Sequence, residues 1–102
     1  MGGTGLRRIE VELLGALGDI AGSDRIEIDV DGPITVKGLI EELVRSVGSE
    51  EFRRAIFAHG SEDPRAYTLI LVNGVEVGSM GLLDSEVRDG SKVTLISLWH
   101  GG

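Results

Sequence analysis

The residues of this 102-residue chain best placed to do chemistry are the last two, Gly101 and Gly102. Glycine loses more conformational freedom on ordering than any other residue, so a terminal pair serves no evident folding purpose. What it supplies is a stretch of backbone without Cβ atoms, ending in a carboxylate that can enter a narrow active site. The carboxylate of Gly102 is therefore read as the functional group, held outward by the rest of the chain. The competing reading is a chance ending, because 16 of the 102 residues are glycine and a native precursor could continue beyond Gly102.

Other chemistries have little to work with. The sequence contains no cysteine, which removes disulfides, thiolate metal ligands and cysteine nucleophiles. His59 and His100 are its two histidines, and neither stands at a metal-ligand spacing. Thr4, the serines and the carboxylates form no catalytic constellation, and Asp84 and Glu86 read as turn residues. No catalytic residue, metal or bound cofactor is expected.

The elements that would position the tail follow from periodicity. Arg8 to Leu14 and Arg25 to Asp31 alternate apolar and charged residues, the pattern of half-buried strands, and should pair as an antiparallel hairpin. Between them, Leu17, Ile20 and Ala21 have the spacing of a short helical turn. Val36, Leu39, Ile40, Leu43, Val44 and Val47 make one apolar stripe of a helix, with Thr35 as its N-cap and Gly48 at its end. Ser49 opens a second, shorter helix reaching about Phe57, with Phe52, Ala55 and Ile56 on its apolar side. Ala58 to Ala66 reads as a loop. Tyr67 to Val72 is a strand apolar on both faces, and Asn73-Gly74 is a hairpin signal leading into Val75 to Val77. Gly78 to Gly81 loosens the path, Leu82-Leu83 returns to the core, Asp84 to Val87 suits a single turn, and Lys92 begins the last strand.

This order predicts an α+β fold, a β-grasp, with a mixed sheet of four to five strands, one main helix across one face and a second short helix. A right-handed crossover makes the first and last strands parallel neighbours. The expected organisation is a flexible leader over residues 1–5, one domain over residues 6–98, and an exposed tail over residues 99–102. At this length the chain is one domain.

A formal charge of −7 argues against direct nucleic-acid binding or an anionic membrane, and favours steering toward basic protein surfaces. No stretch is long and apolar enough to span a membrane, and no secretory h-region is visible. The Met1-Gly2-Gly3-Thr4-Gly5-Leu6 start resembles a myristoylation signal, but Leu6 occupies the position that should be Ser or Thr. A cytoplasmic location is expected.

Two stretches carry a resemblance to the ubiquitin-like sulfur carriers and protein modifiers. Leu14-Gly15-Ala16-Leu17-Gly18-Asp19-Ile20-Ala21-Gly22, followed by the Ile26 strand and the Thr35 helix, resembles the small subunit of molybdopterin synthase. Leu14-Gly15 and Gly18 depart from that family's Phe-Ala and Arg. The Val72-Asn73-Gly74 turn and the Arg88-Asp89-Gly90-Ser91-Lys92-Val93 approach match it as well. The ending Ser97-Leu98-Trp99-His100-Gly101-Gly102 is more similar to the ubiquitin-related modifier of tRNA thiolation, as is the helix-containing segment 49–66.

The resemblance implies that an E1-like enzyme uses ATP to adenylate the Gly102 carboxylate. A thiol or persulfide then leaves a thioester or a thiocarboxylate there. Sulfur transfer to tRNA, sulfur transfer to molybdopterin and attachment to protein lysines are the three implied uses. The implied partners are the E1-like enzyme, a sulfurtransferase or larger molybdopterin synthase subunit, and lysines of target proteins. The chain itself would be a carrier and not an enzyme. Lys37 and Lys92 are its own two lysines, so few sites exist for building chains of it. Trp99 and His100 are candidate partner contacts in the tail. If the main helix covers Ile70, Val72, Val93 and Leu95, the opposite face presents Leu69, Leu71, Ile96 and Leu98. An exposed apolar patch of this kind marks a protein contact, and in the resembling families that face docks on the E1-like enzyme. The alternative is that residues 49–66 fold over it. The rival function is a β-grasp interaction module with no chemistry at its C-terminus.

Overall fold

Alternation dictates the first strand. In the computed structural model, which describes residues 6–57, 68–77 and 84–97, β1 spans Leu6–Leu14 and turns Ile9, Val11 and Leu13 into the core. β2, Arg25–Asp31, pairs antiparallel with it, setting Ile9 opposite Ile28 and Val11 opposite Ile26. Between them α1, Ala16–Ala21, buries Leu17 and is the short helical turn expected from its apolar spacing.

α2, Val36–Val47, buries Val36, Leu39, Ile40, Leu43 and Val44, the stripe expected from its 3.6-residue period. The Thr35 hydroxyl accepts from the Gly38 N–H at 3.0 Å and satisfies one of the free donors at the helix start. α3, Glu50–Ile56, is capped in the same way by Ser49, whose Oγ accepts from the Phe52 N–H at 3.2 Å. Phe52, Ala55 and Ile56 enter the same core cluster as α2 and the inner faces of the strands.

β3, Thr68–Val72, turns through Asn73-Gly74 into β4, Val75–Glu76, and β5 spans Lys92–Ser97. Asn73 and Gly74 both have positive φ, 50° and 84°, as a two-residue hairpin turn with the right twist requires. Asn73 also ties that turn to β5. Its N–H donates to the Lys92 carbonyl at 2.8 Å and its Oδ1 accepts from the Lys92 N–H at 3.0 Å.

The sheet order is β2-β1-β5-β3-β4. β5 lies at its centre, parallel to β1 with Val11 beside Val93 and Leu13 beside Leu95, and antiparallel to β3. The parallel meeting of first and last strands is the one the sequence predicts. β3 is an interior strand, but its second face is half-buried at Leu69 and Leu71 instead of covered. The described residues hold three helices, so the expected main and second helices are joined by α1. Asp84 to Val87 is a turn, as anticipated. Val36 N–H donates to the Ser85 carbonyl at 2.9 Å, Val87 N–H donates to the Ile34 carbonyl at 2.8 Å, and Glu86 pairs with Arg7. The expected leader, the loop over 58–66, the start of its strand at Tyr67, and the Gly78-to-Leu83 path lie outside the described residues.

Gly15 joins β1 to α1 at φ 70° and ψ −145°, a region that only glycine occupies without strain. Gly18 is constrained differently: a Cβ there would stand 2.5 Å from Asp24 Oδ1 and 3.1 Å from the Leu13 carbonyl oxygen.

Gly15→Ala is expected to cost about 1–3 kcal/mol through backbone strain. Thr35→Ala is expected to cost about 1 kcal/mol through the lost cap. Urea denaturation of the single and double variants should show the two losses adding, because the sites share no partner.

Candidate partner-binding face

The three helices pack on the side of the sheet that bears Ile70, Val93 and Leu95, and the other side is built from the alternate residues of each strand. Over β2 and β1 that outer side is charged. Arg8 Nε donates to Asp29 Oδ1 at 3.0 Å, Arg25 Nε meets Glu10 Oε2 at 3.0 Å, and Lys92 Nζ meets Glu12 Oε1 at 3.3 Å. The hydrogen bond and the charge of Asp29 hold the exposed Arg8 guanidinium above its ordinary range. These pairs sit in solvent and contribute little stability. They also turn like charges to account: Glu10 and Glu27 stand directly opposite in the register, and Arg25 draws Glu10 aside.

Toward the far end of the strands the same face becomes apolar. Register places Leu14 of β1 beside Ile96 of β5, and Ile96 beside Leu69 of β3, so the three form one row across the middle of the sheet. Leu14 is 38% exposed, and Ile96 and Leu69 are half-buried. The next row runs Glu12, Thr94, Leu71 and Glu76, which sets Leu71 beside a threonine that leans on Glu12 (Thr94 Oγ1 to Glu12 Oε1, 3.4 Å). The apolar surface is thus a short band bounded by an ion-paired field.

Of the patch expected from the sequence, Leu69, Leu71 and Ile96 do share this outer face, on the side away from α2. Helix α3, which could have covered them, packs instead with the core cluster on the other side. Leu14 was missed. Its signal was the Leu13-Leu14 doublet that ends an alternating strand: one of two adjacent leucines must point away from the core. Leu98, Trp99, His100, Gly101 and Gly102 lie outside the described residues.

The row has a particular position. Ile96 is one residue before Ser97, the last residue of β5, and five residues separate Ser97 from the chain end. Fully extended, five residues reach about 17 Å. The corner at Gly15 packs on this strand end, since a Cβ there would lie 3.6 Å from both the Cβ and the carbonyl oxygen of Ser97. Among the described residues no group of three His, Cys, Asp or Glu side chains is arranged to hold a metal ion. No helix among them is long and apolar enough to cross a membrane.

Residues 8–102 match the family described as Urm1 (Ubiquitin related modifier). Comparison with curated proteins gives no match. Among solved structures, the chain is similar to SAMP1 from Haloferax volcanii, with 27% identity over 93% of this chain and 99% of that one and a TM-score of 0.75. The putative molybdopterin converting factor subunit 1 from Pyrococcus furiosus shares 24% identity over 89% of this chain and 97% of its own, with a TM-score of 0.69. The Amycolatopsis orientalis BexX/CysO complex contains a chain with 21% identity, 92% and 99% coverage and a TM-score of 0.66. The last two likenesses concern the fold, and all three place this chain's sheet and helices among ubiquitin-like β-grasp proteins.

If the outer row is a contact surface and not a second core, its residues must tolerate truncation better than their neighbours on the inner face. Leu95→Ala is expected to cost about 2–5 kcal/mol. Ile96→Ala, one residue along the same strand, should cost less than about 1.5 kcal/mol because the side chain is half solvated already. Chemical denaturation of the two variants measures the difference, and equal losses would show the row to be covered.

Proposed function

The chain belongs to the ubiquitin-related modifier family, and on that membership we propose that it is a carrier whose working group is the carboxylate of Gly102. An E1-like enzyme, docked on Leu14, Ile96 and Leu69, receives the tail. The carboxylate attacks the α-phosphorus of ATP in that enzyme and pyrophosphate leaves. The resulting acyl-adenylate is a good electrophile where a free carboxylate is a poor one. A thiolate then displaces AMP to give a thioester, or hydrosulfide displaces it to give a thiocarboxylate directly, AMP leaving in either case.

This chain supplies no base and no oxyanion donor in that scheme, since the preorganised groups that stabilise developing charge belong to the enzyme it enters. Its own contribution is placement. Leu14, Ile96 and Leu69 keep only part of their surface in solvent, so each releases about 0.5–1 kcal/mol when a partner completes its burial. That binding energy acts close to the tail, so docking confines the carboxylate to a small volume and raises its effective concentration at the nucleotide. The observation that supports the reading is this adjacency: the apolar row crosses β5 at Ile96, one residue before Ser97, the last residue described in that strand.

The products divide by acceptor. A thiocarboxylate delivers sulfur to a tRNA or to a molybdopterin precursor, and an activated acyl group attaches to protein lysines. A sulfurtransferase or a larger synthase subunit is the further protein partner in the first two cases. Support for a protein partner comes from the neighbour CysO, whose structure is a complex with BexX. The partly exposed row also fits a plain interaction module that binds through its face and makes no use of its tail.

Intact mass spectrometry after incubation with the host's E1-like enzyme, ATP and a sulfur donor tests the carrier reading. Replacement of one oxygen by sulfur is expected in the wild type and absent after deletion of Gly101-Gly102, with the circular dichroism of the deletion unchanged. Ile96→Glu and Leu14→Glu are expected to slow the conversion by about 10-fold or more each, the cost of desolvating a charge against an apolar partner. A deletion variant that still gains the sulfur mass would falsify the assignment to the terminal carboxylate.

A further inference from the structure

The helical layer carries a second surface that the carrier chemistry does not use. Between α2 and α3 lies a groove of about 870 Å³. One wall is a stripe of α2 in which Lys37, Glu41 and Arg45 recur every four residues, and the other carries Arg53 and Arg54 in the last turn of α3. The buried Val44 and the half-buried Phe57 give it an apolar floor.

Its charge is opposite to that of the molecule. The whole chain has ten cationic residues against seventeen acidic ones. The groove gathers four of the ten, with two carboxylates, Glu41 and Glu50, on its rim. Arg45 is engaged by Glu42 within its own helix, and Arg54 is only loosely met by Glu50 at 4.0 Å. Lys37 and Arg53 are exposed and pair with no carboxylate among the described residues. Free cations concentrated over an apolar floor, on a protein that otherwise repels anions, are a selective arrangement, because charge complementarity here sets partner and orientation.

We propose that this groove docks an acidic, amphipathic segment of a partner protein. Carboxylates of the segment meet Lys37 and Arg53, and an aliphatic or aromatic side chain rests on Val44 and Phe57. Nucleic acid fits less well: a uniform row of phosphates would run against Glu41, Glu50 and the overall charge of −7. Because α2 and α3 pack on the side of the sheet away from Leu14, Ile96 and Leu69, the groove stays open while the outer face is held. It is therefore a site for a second protein in the same complex, such as the one that receives what the tail carries.

The test is an NMR titration of the ¹⁵N-labelled full chain with a short peptide in which glutamates flank a leucine-phenylalanine pair. Fluorescence polarisation of the labelled peptide supplies the affinity. Shifts are expected to cluster in residues 37–57, and the affinity should fall as salt is raised. Lys37→Glu and Arg53→Glu should each weaken binding about 5- to 10-fold, whereas Arg8→Glu, an exposed cation on the other side of the sheet, should leave it unchanged. The proposal is overturned by shifts confined to the outer sheet face, by equal binding of the Lys37 and Arg53 variants, by equal binding of the peptide with lysine for glutamate, or by a tRNA that displaces the peptide from the same residues at lower concentration. The titration needs neither activating enzyme nor terminal glycines, so its failure is distinct from failure of the carrier reading.

Discussion

The structure depends on the parallel pairing of β1 with β5. Val11 beside Val93 and Leu13 beside Leu95 bury four side chains on one face of two interior strands, and the other strands are placed relative to them. The side-chain period of a strand is two, so a slip of one residue would drive Thr94 and Ile96 into the core and turn Val93 and Leu95 to water. Parallel strands cannot be joined by a tight turn, and the intervening chain must cross over the sheet. That crossover contains α2 and α3, and among the described residues the helical cover falls on one side of the sheet while the opposite side is left open.

Division of labour between the two sides follows from this. The inner face is saturated: Ile9, Leu17, Phe52, Ile70 and Leu95 are fully excluded from solvent. The outer face is uncovered by any described element, and the strand ends differ in how they meet water. At the Arg8–Asp29 end, opposite charges neutralise one another in solvent. At the Leu14–Ile96 end, aliphatic groups remain half solvated, a surface whose free energy falls when another protein covers it. Ser97, the last described residue of β5, lies at the second of these ends and not the first.

Much of this was legible in the sequence because the periodic signals are strong and agree with one another. The α2 stripe from Val36 to Val47, the Ser49 cap, and the Asn73-Gly74 turn each have a local physical cause and appear where expected. The split of β3 and β5 into inner and outer residues was also readable, since alternation fixes it once one face is assigned to α2. Alternation also turns Leu14 outward, since Ile9, Val11 and Leu13 point inward, but does not say what it packs beside. Only the register with Ile96 shows that it joins a row. The α2–α3 groove was invisible for a related reason: Lys37 and Arg53 read singly as wet-face residues, and tertiary packing brings them to one cavity. The Gly-Gly ending, by contrast, is a property of composition and position alone and lies outside the described residues.

The placement of β5 also has a mechanical consequence. Tension applied between Leu6 and Ser97 pulls two parallel neighbours past each other along their length. Every hydrogen bond of that ladder is then loaded in shear at once, instead of being opened one after another from an end. β3 grips the other edge of β5 and must slide in the same event. A machine that seized the chain beyond Ser97 and pulled would load the β1–β5 and β3–β5 ladders together, and so would meet the sheet as its first obstacle.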